Sequence, residues 1–136
     1  TSELFPNISL SQLLHTALRL RPDRLVIGEV RGSEAIDMVM AMNTGHHGSL
    51  ASCHANGPID ALRRLEALVL QHHPRWSIDT LRHHIHLAVD VIIHVERRKD
   101  GSRFIRDITE VSEDPNGTLR SLLTGNESQI RRGRLR

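Results

Sequence analysis

The sequence predicts an α/β fold: a mostly parallel sheet flanked by helices, with an antiparallel hairpin at one edge. Two observations carry that prediction. Short apolar runs at residues 25–28 and 49–53 are separated by a stretch of helical periodicity, the order expected of parallel strands joined by a crossover helix. Two later runs, 89–95 and 103–111, alternate apolar and polar residues in their later parts, and Asp100-Gly101 between them is a strong hairpin signal. No internal repeat stands out.

Capping and punctuation residues bound the elements. Ser9 is a candidate N-cap for a helix whose Leu10, Leu13, Leu14, Ala17 and Leu18 recur at helical spacing. Arg21-Pro22 ends it, because a residue before proline is pushed out of helical geometry. Leu25-Val26-Ile27-Gly28 reads as a short strand, and Gly32 turns the chain. Ser33 caps a second helix with Ile36, Val39, Met40 and Asn43 on one face, and Gly45 stops it at a left-handed position. After the second strand, Gly57-Pro58 opens a third helix striped by Leu62, Leu65, Leu68 and Val69. Residues 72–76 read as a loop, and Ser77 caps a fourth helix carrying Ile78, Leu81 and Ile85. From Glu113-Asp114-Pro115-Asn116-Gly117 onward the pattern weakens. Residues 119–123 leave room for one more short element, and the tail with Arg131, Arg132, Arg134 and Arg136 is expected to be disordered.

Composition narrows the classes. A chain of 136 residues fits one domain or the latter half of a larger one, and a compact fold of that size buries roughly two-thirds of its unfolded surface. With two Phe, one Trp and no Tyr, the core must be aliphatic. Lys and Arg total 18 against 16 Asp and Glu, and the net charge of +2 is too small for a dedicated nucleic-acid surface. The single cysteine, Cys53, rules out an intrachain disulfide and fits a reducing cytosol. No run of about 18 apolar residues codes a membrane span, and no signal peptide is visible.

Chemistry concentrates at the ends of the two short runs. The first leads into Gly28-Glu29-Val30-Arg31-Gly32 and delivers one carboxylate to its carboxyl end. The second lies within Gly45-His46-His47-Gly48-Ser49-Leu50-Ala51-Ser52-Cys53-His54-Ala55-Asn56 and delivers a histidine to the same edge. Ligands of open α/β sheets bind at that edge, so the two together read as half of a phosphate-handling site. Singly, each residue has an ordinary structural reading. Glu29 could cap a neighbouring helix or pair with Arg31, His54 and His46 could bond to backbone, and Arg31 could be solvated.

The two segments resemble the Walker B segment and histidine box of the secretion ATPase superfamily, the hexameric motors of type II and type IV secretion and of pilus assembly. Ala17-Leu18-Arg19-Leu20-Arg21-Pro22-Asp23-Arg24, leading into Gly28-Glu29, is most similar to the CpaF-type tight-adherence pilus ATPases, with conjugative type IV secretion relatives next. The resemblance runs from about Ile8 to about Val111 and takes in Asp60-Ala61-Leu62-Arg63-Arg64-Leu65-Glu66 and Asp100-Gly101-Ser102-Arg103. It implies the C-terminal part of a RecA-like P-loop NTPase domain over 1–112, with 113–136 as an extension. ATP and Mg2+ are the implied cofactors. Glu29 would hold the metal through a water, its extra methylene over Asp suiting an outer-sphere contact, and His54 would sense the terminal phosphate. His46 would shape the site or reach a subunit interface, and Arg31 would hold the family's acidic box or face a neighbouring subunit. The implied assembly is a homo-oligomeric hexamer at the cytoplasmic face of the inner membrane, acting on platform proteins of a pilus or secretion system, with no nucleic-acid partner.

The chain departs from that family where Gly-x-x-x-x-Gly-Lys-[Ser/Thr] and the acidic box should stand; neither occurs, and Thr1-Ser2-Glu3-Leu4-Phe5 does not match the box. His47 replaces an acidic or small residue, and Ser52-Cys53 replace Thr-Ile or Thr-Leu. The chain starts at Thr1 rather than Met. The expectation is a piece of a longer motor, cut after the acidic box and unable to hydrolyse ATP alone; an inactive remnant is the alternative. Arg63 and Arg64 are expected on a helix surface, one beside Glu66, with no catalytic role. Two remoter readings are weak. A metal module would need His72, His73, His83, His84 and His86 to converge, yet the last three point in different directions around a helix. A nucleic-acid module would rest on the arginine tail and Arg97-Arg98-Lys99, with almost no aromatics for stacking.

Overall fold

A computed structural model describes residues 8–116 and 118–124; the arginine tail and Thr1-Ser2-Glu3-Leu4-Phe5 lie outside the described residues. The elements follow in the order α1 (Leu10–Arg19), β1 (Val26–Ile27), α2 (Glu34–Asn43), β2 (Leu50–Ala51), α3 (Pro58–His72), α4 (Ile78–Ala88), β3 (Val91–Arg97), β4 (Arg103–Glu110) and β5 (Arg120–Thr124). Ser9 starts α1 as expected: its hydroxyl accepts from the Gln12 amide at 3.2 Å while the Gln12 side chain accepts from the Ser9 amide at 2.9 Å. Arg21 takes a left-handed φ of 52° immediately before Pro22, so the helix cannot continue. Gly45, with φ 102°, ends α2 in the left-handed conformation its position demanded.

Two caps differ from expectation. Ser33 precedes α2 and Ser77 precedes α4, but neither side chain makes a capping hydrogen bond. The Glu34 carboxylate instead accepts from the Arg31 and Gly32 amides, which precede the helix. His72, expected in a loop, is the last residue of α3.

The sheet is the larger correction. Among the described residues, β1 and β2 form a two-stranded parallel sheet, while β3, β4 and β5 form a separate antiparallel one, in place of a mostly parallel sheet with a hairpin at its edge. The hairpin finds its third strand locally, because β5 pairs Leu123 with Ile108 and Arg120 with Glu110. Asp100-Gly101 makes the turn as predicted, with Gly101 at φ 91°. The helices pack together: α2 contacts α1, α3 and α4, and α3 touches β3.

The core is aliphatic, as the composition required. Ala35, Val39, Leu81 and Ile85 are fully buried, joined by Leu14, Leu25, Ile27, Val30, Leu62, Leu65, Val69 and Val111. Each such Leu, Ile or Val side chain contributes about 1.5–3 kcal/mol by leaving water. Glu66 of α3 pairs with Arg82 of α4 at 3.0 Å, and Arg63 turns to Asp60 at 3.9 Å, so the expected pairing of Glu66 within its own helix does not form.

Candidate active site at the strand ends

Backbone bonds fix where Glu29 stands. The parallel ladder runs from Leu25, whose carbonyl accepts from the Leu50 amide at 2.8 Å, to Val30, whose amide donates to the Ser52 carbonyl at 2.8 Å. The Ser52 hydroxyl also donates to the Gly28 carbonyl. Glu29 therefore sits between two residues tethered to the end of β2, and Val30 beyond it is buried at 1% exposure.

From that position the Glu29 carboxylate meets the two residues the sequence singled out. Its Oε1 lies 3.2 Å from His54 Nε2, and its Oε2 accepts from the Arg31 guanidinium. The hydrogen bond from Arg31 holds the Glu29 carboxyl below its ordinary value of 4.5; slight burial opposes this, while the charges of Arg31, His54 and Arg64 add to the lowering. Glu29 is consequently ionised at neutral pH.

A second carboxylate shapes the loop beneath. Glu34, buried at 8% exposure, accepts at Oε1 from the Arg31 amide at 2.6 Å and from the Gly32 amide at 2.9 Å. Burial pushes its carboxyl up, but bonds from the backbone of Arg31, Glu34 and Gly32 outweigh that and hold it below the usual range. Gly32 has no left-handed φ, but a Cβ there would stand 3.3 Å from Glu34 Oε2, a tight contact.

His46 is held elsewhere. Its Nδ1 lies 3.1 Å from the Ala41 carbonyl, and its own carbonyl accepts from the Ser49 hydroxyl at 2.7 Å. Ser49 in turn accepts from the Leu25 amide at 2.9 Å. His46 thus shapes the loop between α2 and β2, and among the described residues no contact joins it to Glu29.

Cys53 is half-buried, and burial pushes its thiol up despite the opposing charge of Arg64. It is no ready nucleophile.

The remaining histidines scatter. His84 stacks edge-on against Trp76 with ring centroids 5.5 Å apart, and His86 Nδ1 lies 2.8 Å from the Ser112 carbonyl. Among the described residues no three His, Cys, Asp or Glu side chains gather as a metal cage. A Mg2+ resting on one carboxylate, phosphate oxygens and water needs no such cage, and the ionised Glu29 fits that role.

Three residues escaped the sequence reading. Ser52 lacked any signal beyond standing where the family resemblance leads one to expect Thr. Glu34 looked like an ordinary first-turn acid. Arg64 looked like a surface arginine, yet its charge reaches both Glu29 and Cys53.

Residues 6–129 match the family model described as Type II/IV secretion system protein. The chain belongs to that family. Among its relatives, the type IV secretion system protein VirB11 of Brucella suis is 37% identical over 118 residues, covering 85% of this chain and 32% of that protein. The conjugal transfer protein TrbB of Rhizobium radiobacter is 38% identical over 104 residues, covering 76% of this chain and 31% of that one. The crystal structure of the VirB11 ATPase from the Brucella suis type IV secretion system, in complex with sulphate, aligns with a TM-score of 0.70 at 31% identity, over 81% of this chain and 38% of its own. The mixed α/β architecture of this Type II/IV secretion family member is therefore shared with VirB11. The chain spans about a third of the length of these curated relatives, 32% and 31%.

Proposed function

We propose that this chain is the C-terminal portion of the RecA-like motor domain of a hexameric ATPase that powers pilus assembly or protein secretion across the bacterial envelope. The observation that carries the reading is the 3.2 Å contact between Glu29, just past β1, and His54, just past β2. A carboxylate and an imidazole at adjoining strand ends suit the terminal phosphate of a nucleotide. In this reading the motor portion is 1–112, and 113–136 is an extension that lends β5 to the antiparallel sheet.

The residues fit the terminal-phosphate end of Mg-ATP, and a phosphate-binding loop belongs to a longer polypeptide. Bound Mg2+ would neutralise the charge that develops on the transferring phosphoryl group. Glu29, held by Arg31 and by the tethers of Gly28 and Val30, would hold the metal ion through a water with its ionised carboxylate. His54, with its side chain 83% exposed, can exchange Glu29 for a phosphate oxygen without disturbing the core. Arg31 keeps Glu29 oriented while that exchange takes place. His46 sets the shape of the loop that leads into β2.

Within the family, residues 17–32 support a CpaF-type tight-adherence pilus motor. A conjugative type IV secretion motor is the second reading, favoured by the VirB11 and TrbB relatives. Both readings place the protein at the cytoplasmic face of the inner membrane, against platform proteins. No helix among the described residues is long and apolar enough to cross a membrane. The test is ATP turnover by the intact protein: wild type should hydrolyse Mg-ATP and Glu29→Gln should bind it without turnover. Undiminished turnover in that variant would remove Glu29 from the mechanism.

A further inference from the structure

We propose that the end of the β3–β4 hairpin docks the protein on an anionic lipid surface, its arginines meeting headgroup phosphates while Val95 and Ile105 enter the interface. This rests on the inner-membrane placement above but not on ATP hydrolysis. The strand register sets Val95 directly opposite Ile105 and Arg97 directly opposite Arg103. Alternate residues of a strand share a face, so these four side chains form one patch, and Ile93 continues it along β3. Ile93 is 55% exposed, Val95 51% and Ile105 46%, and both arginines are exposed as well.

Two features of the patch call for a partner. Single apolar side chains on a surface are ordinary, but neighbouring ones across two strands mark an interaction surface. Like charges directly opposite on paired strands also repel, and Arg97 faces Arg103. Arg98 and Lys99 add to them, so residues 97–103 carry four basic side chains against one acid, Asp100. That acid accepts from the Ser102 amide at 2.9 Å and from its hydroxyl at 2.7 Å. Elsewhere in the sheet Glu96 pairs with Arg106, Asp107 with His94 and Glu110 with Arg120. Among the described residues, therefore, no acid pairs with Arg97, Arg98, Lys99 or Arg103. An anionic membrane supplies both missing parts: fixed negative charge for the cations and an acyl boundary for the aliphatic side chains. Arginine stems can lie along that boundary while their heads stay among the phosphates. Nucleic acid offers the phosphates without the apolar layer. It would also want a bare aromatic face for its bases, and Phe104, on the opposite face of the hairpin, is covered by Arg98 at 4.5 Å from its ring centroid.

The experiment floats the intact protein with vesicles of phosphatidylglycerol mixed with phosphatidylcholine, or of phosphatidylcholine alone. Wild type should bind the mixed vesicles, ignore the neutral ones, and let go as salt rises. Arg97→Gln combined with Arg103→Gln should weaken binding roughly 20-fold, at about fivefold per cation. Lys99→Gln, in the turn outside the ladder, should weaken it about fivefold and carries the test if the double variant fails to fold. Val95→Thr with Ile105→Thr keeps the β-branching and should weaken binding while its salt dependence stays the same. Failure of the wild type to bind mixed vesicles, equal binding to both kinds, or wild-type affinity in the folded cation variants overturns the docking surface. Tighter binding of a single-stranded oligonucleotide through the same arginines overturns it too, and assigns the hairpin to nucleic acid. ATP turnover is read in parallel and should be unchanged in every variant. Its absence from the wild type sinks the ATPase reading and leaves the vesicle result to be judged by itself.

Discussion

Three histidine–carboxylate contacts occur among the described residues, and the two shortest are nearly equal in length. His54 Nε2 lies 3.2 Å from Glu29 Oε1, and His94 Nδ1 lies 3.1 Å from Asp107 Oδ2. His94 and Asp107 face each other in the register of β3 and β4, beside the bulge that shifts the ladder between His94 and Val95. The His94 side chain is only 12% exposed, and the Arg106 guanidinium lies 3.8 Å from Asp107. Strand pairing itself brings these two groups together, so they part only if the ladder opens. Glu29 and His54 stand beyond their strands, and the imidazole projects into solvent. The geometry of the pair is shared. What differs is the freedom of one member to change partners, and that freedom is what a ligand site needs.

Mutation should separate the two pairs. In the intact protein, Glu29→Gln should lower ATP turnover by roughly 100-fold or more with little change in melting temperature, as expected for loss of the carboxylate that would position the charge-neutralising metal ion. His54→Ala should slow hydrolysis about tenfold and weaken nucleotide binding less; wild-type values for both parameters would end its sensing role. Asp107→Asn should do the reverse of Glu29→Gln, costing about 1 kcal/mol in denaturant unfolding while turnover is kept. A collapse of turnover in the Asp107 variant would erase the distinction between the pairs.

The smallest effect is in acid. Glu29 has a lowered carboxyl value, so the stability from its pairing is present above the ordinary 4.5 and is lost as pH falls through the lowered value. A carbon-13 NMR titration should find its midpoint below 4.5, and Arg31→Gln should raise it. A midpoint at or above 4.5 in the wild type would mean that the Arg31 bond does not form in solution.

Local signals were legible and distant ones were not. Ser9 before α1, Gly45 after α2, Pro58 in the first turn of α3, and Asp100-Gly101 all act within a few residues, and each did what its chemistry demands. The convergence of Glu29 and His54 was also readable, because successive parallel strands deliver their ends to one edge. Glu34 was missed since a first-turn acid that folds back onto Arg31 and Gly32 has the same spacing as one facing water. The Glu66–Arg82 pair joins positions 16 apart on different helices, which periodicity within one helix cannot reveal. The division into two sheets was hidden for the same reason: pairing of β4 with β5 depends on chain reversal between 110 and 120, where turn residues leave the partner open.

The backbone bonds to Glu34 have a mechanical consequence. With Arg31 and Gly32 both pinned from beneath, the loop that carries Glu29 behaves as the stationary jaw of a clamp. Among the described residues His54 makes no polar contact besides the one with that jaw, so it is the sliding jaw. Grip and release then require only rotation about the bonds of one imidazole side chain, an event of nanoseconds or less for an exposed group. The strands can stay still while the clamp opens.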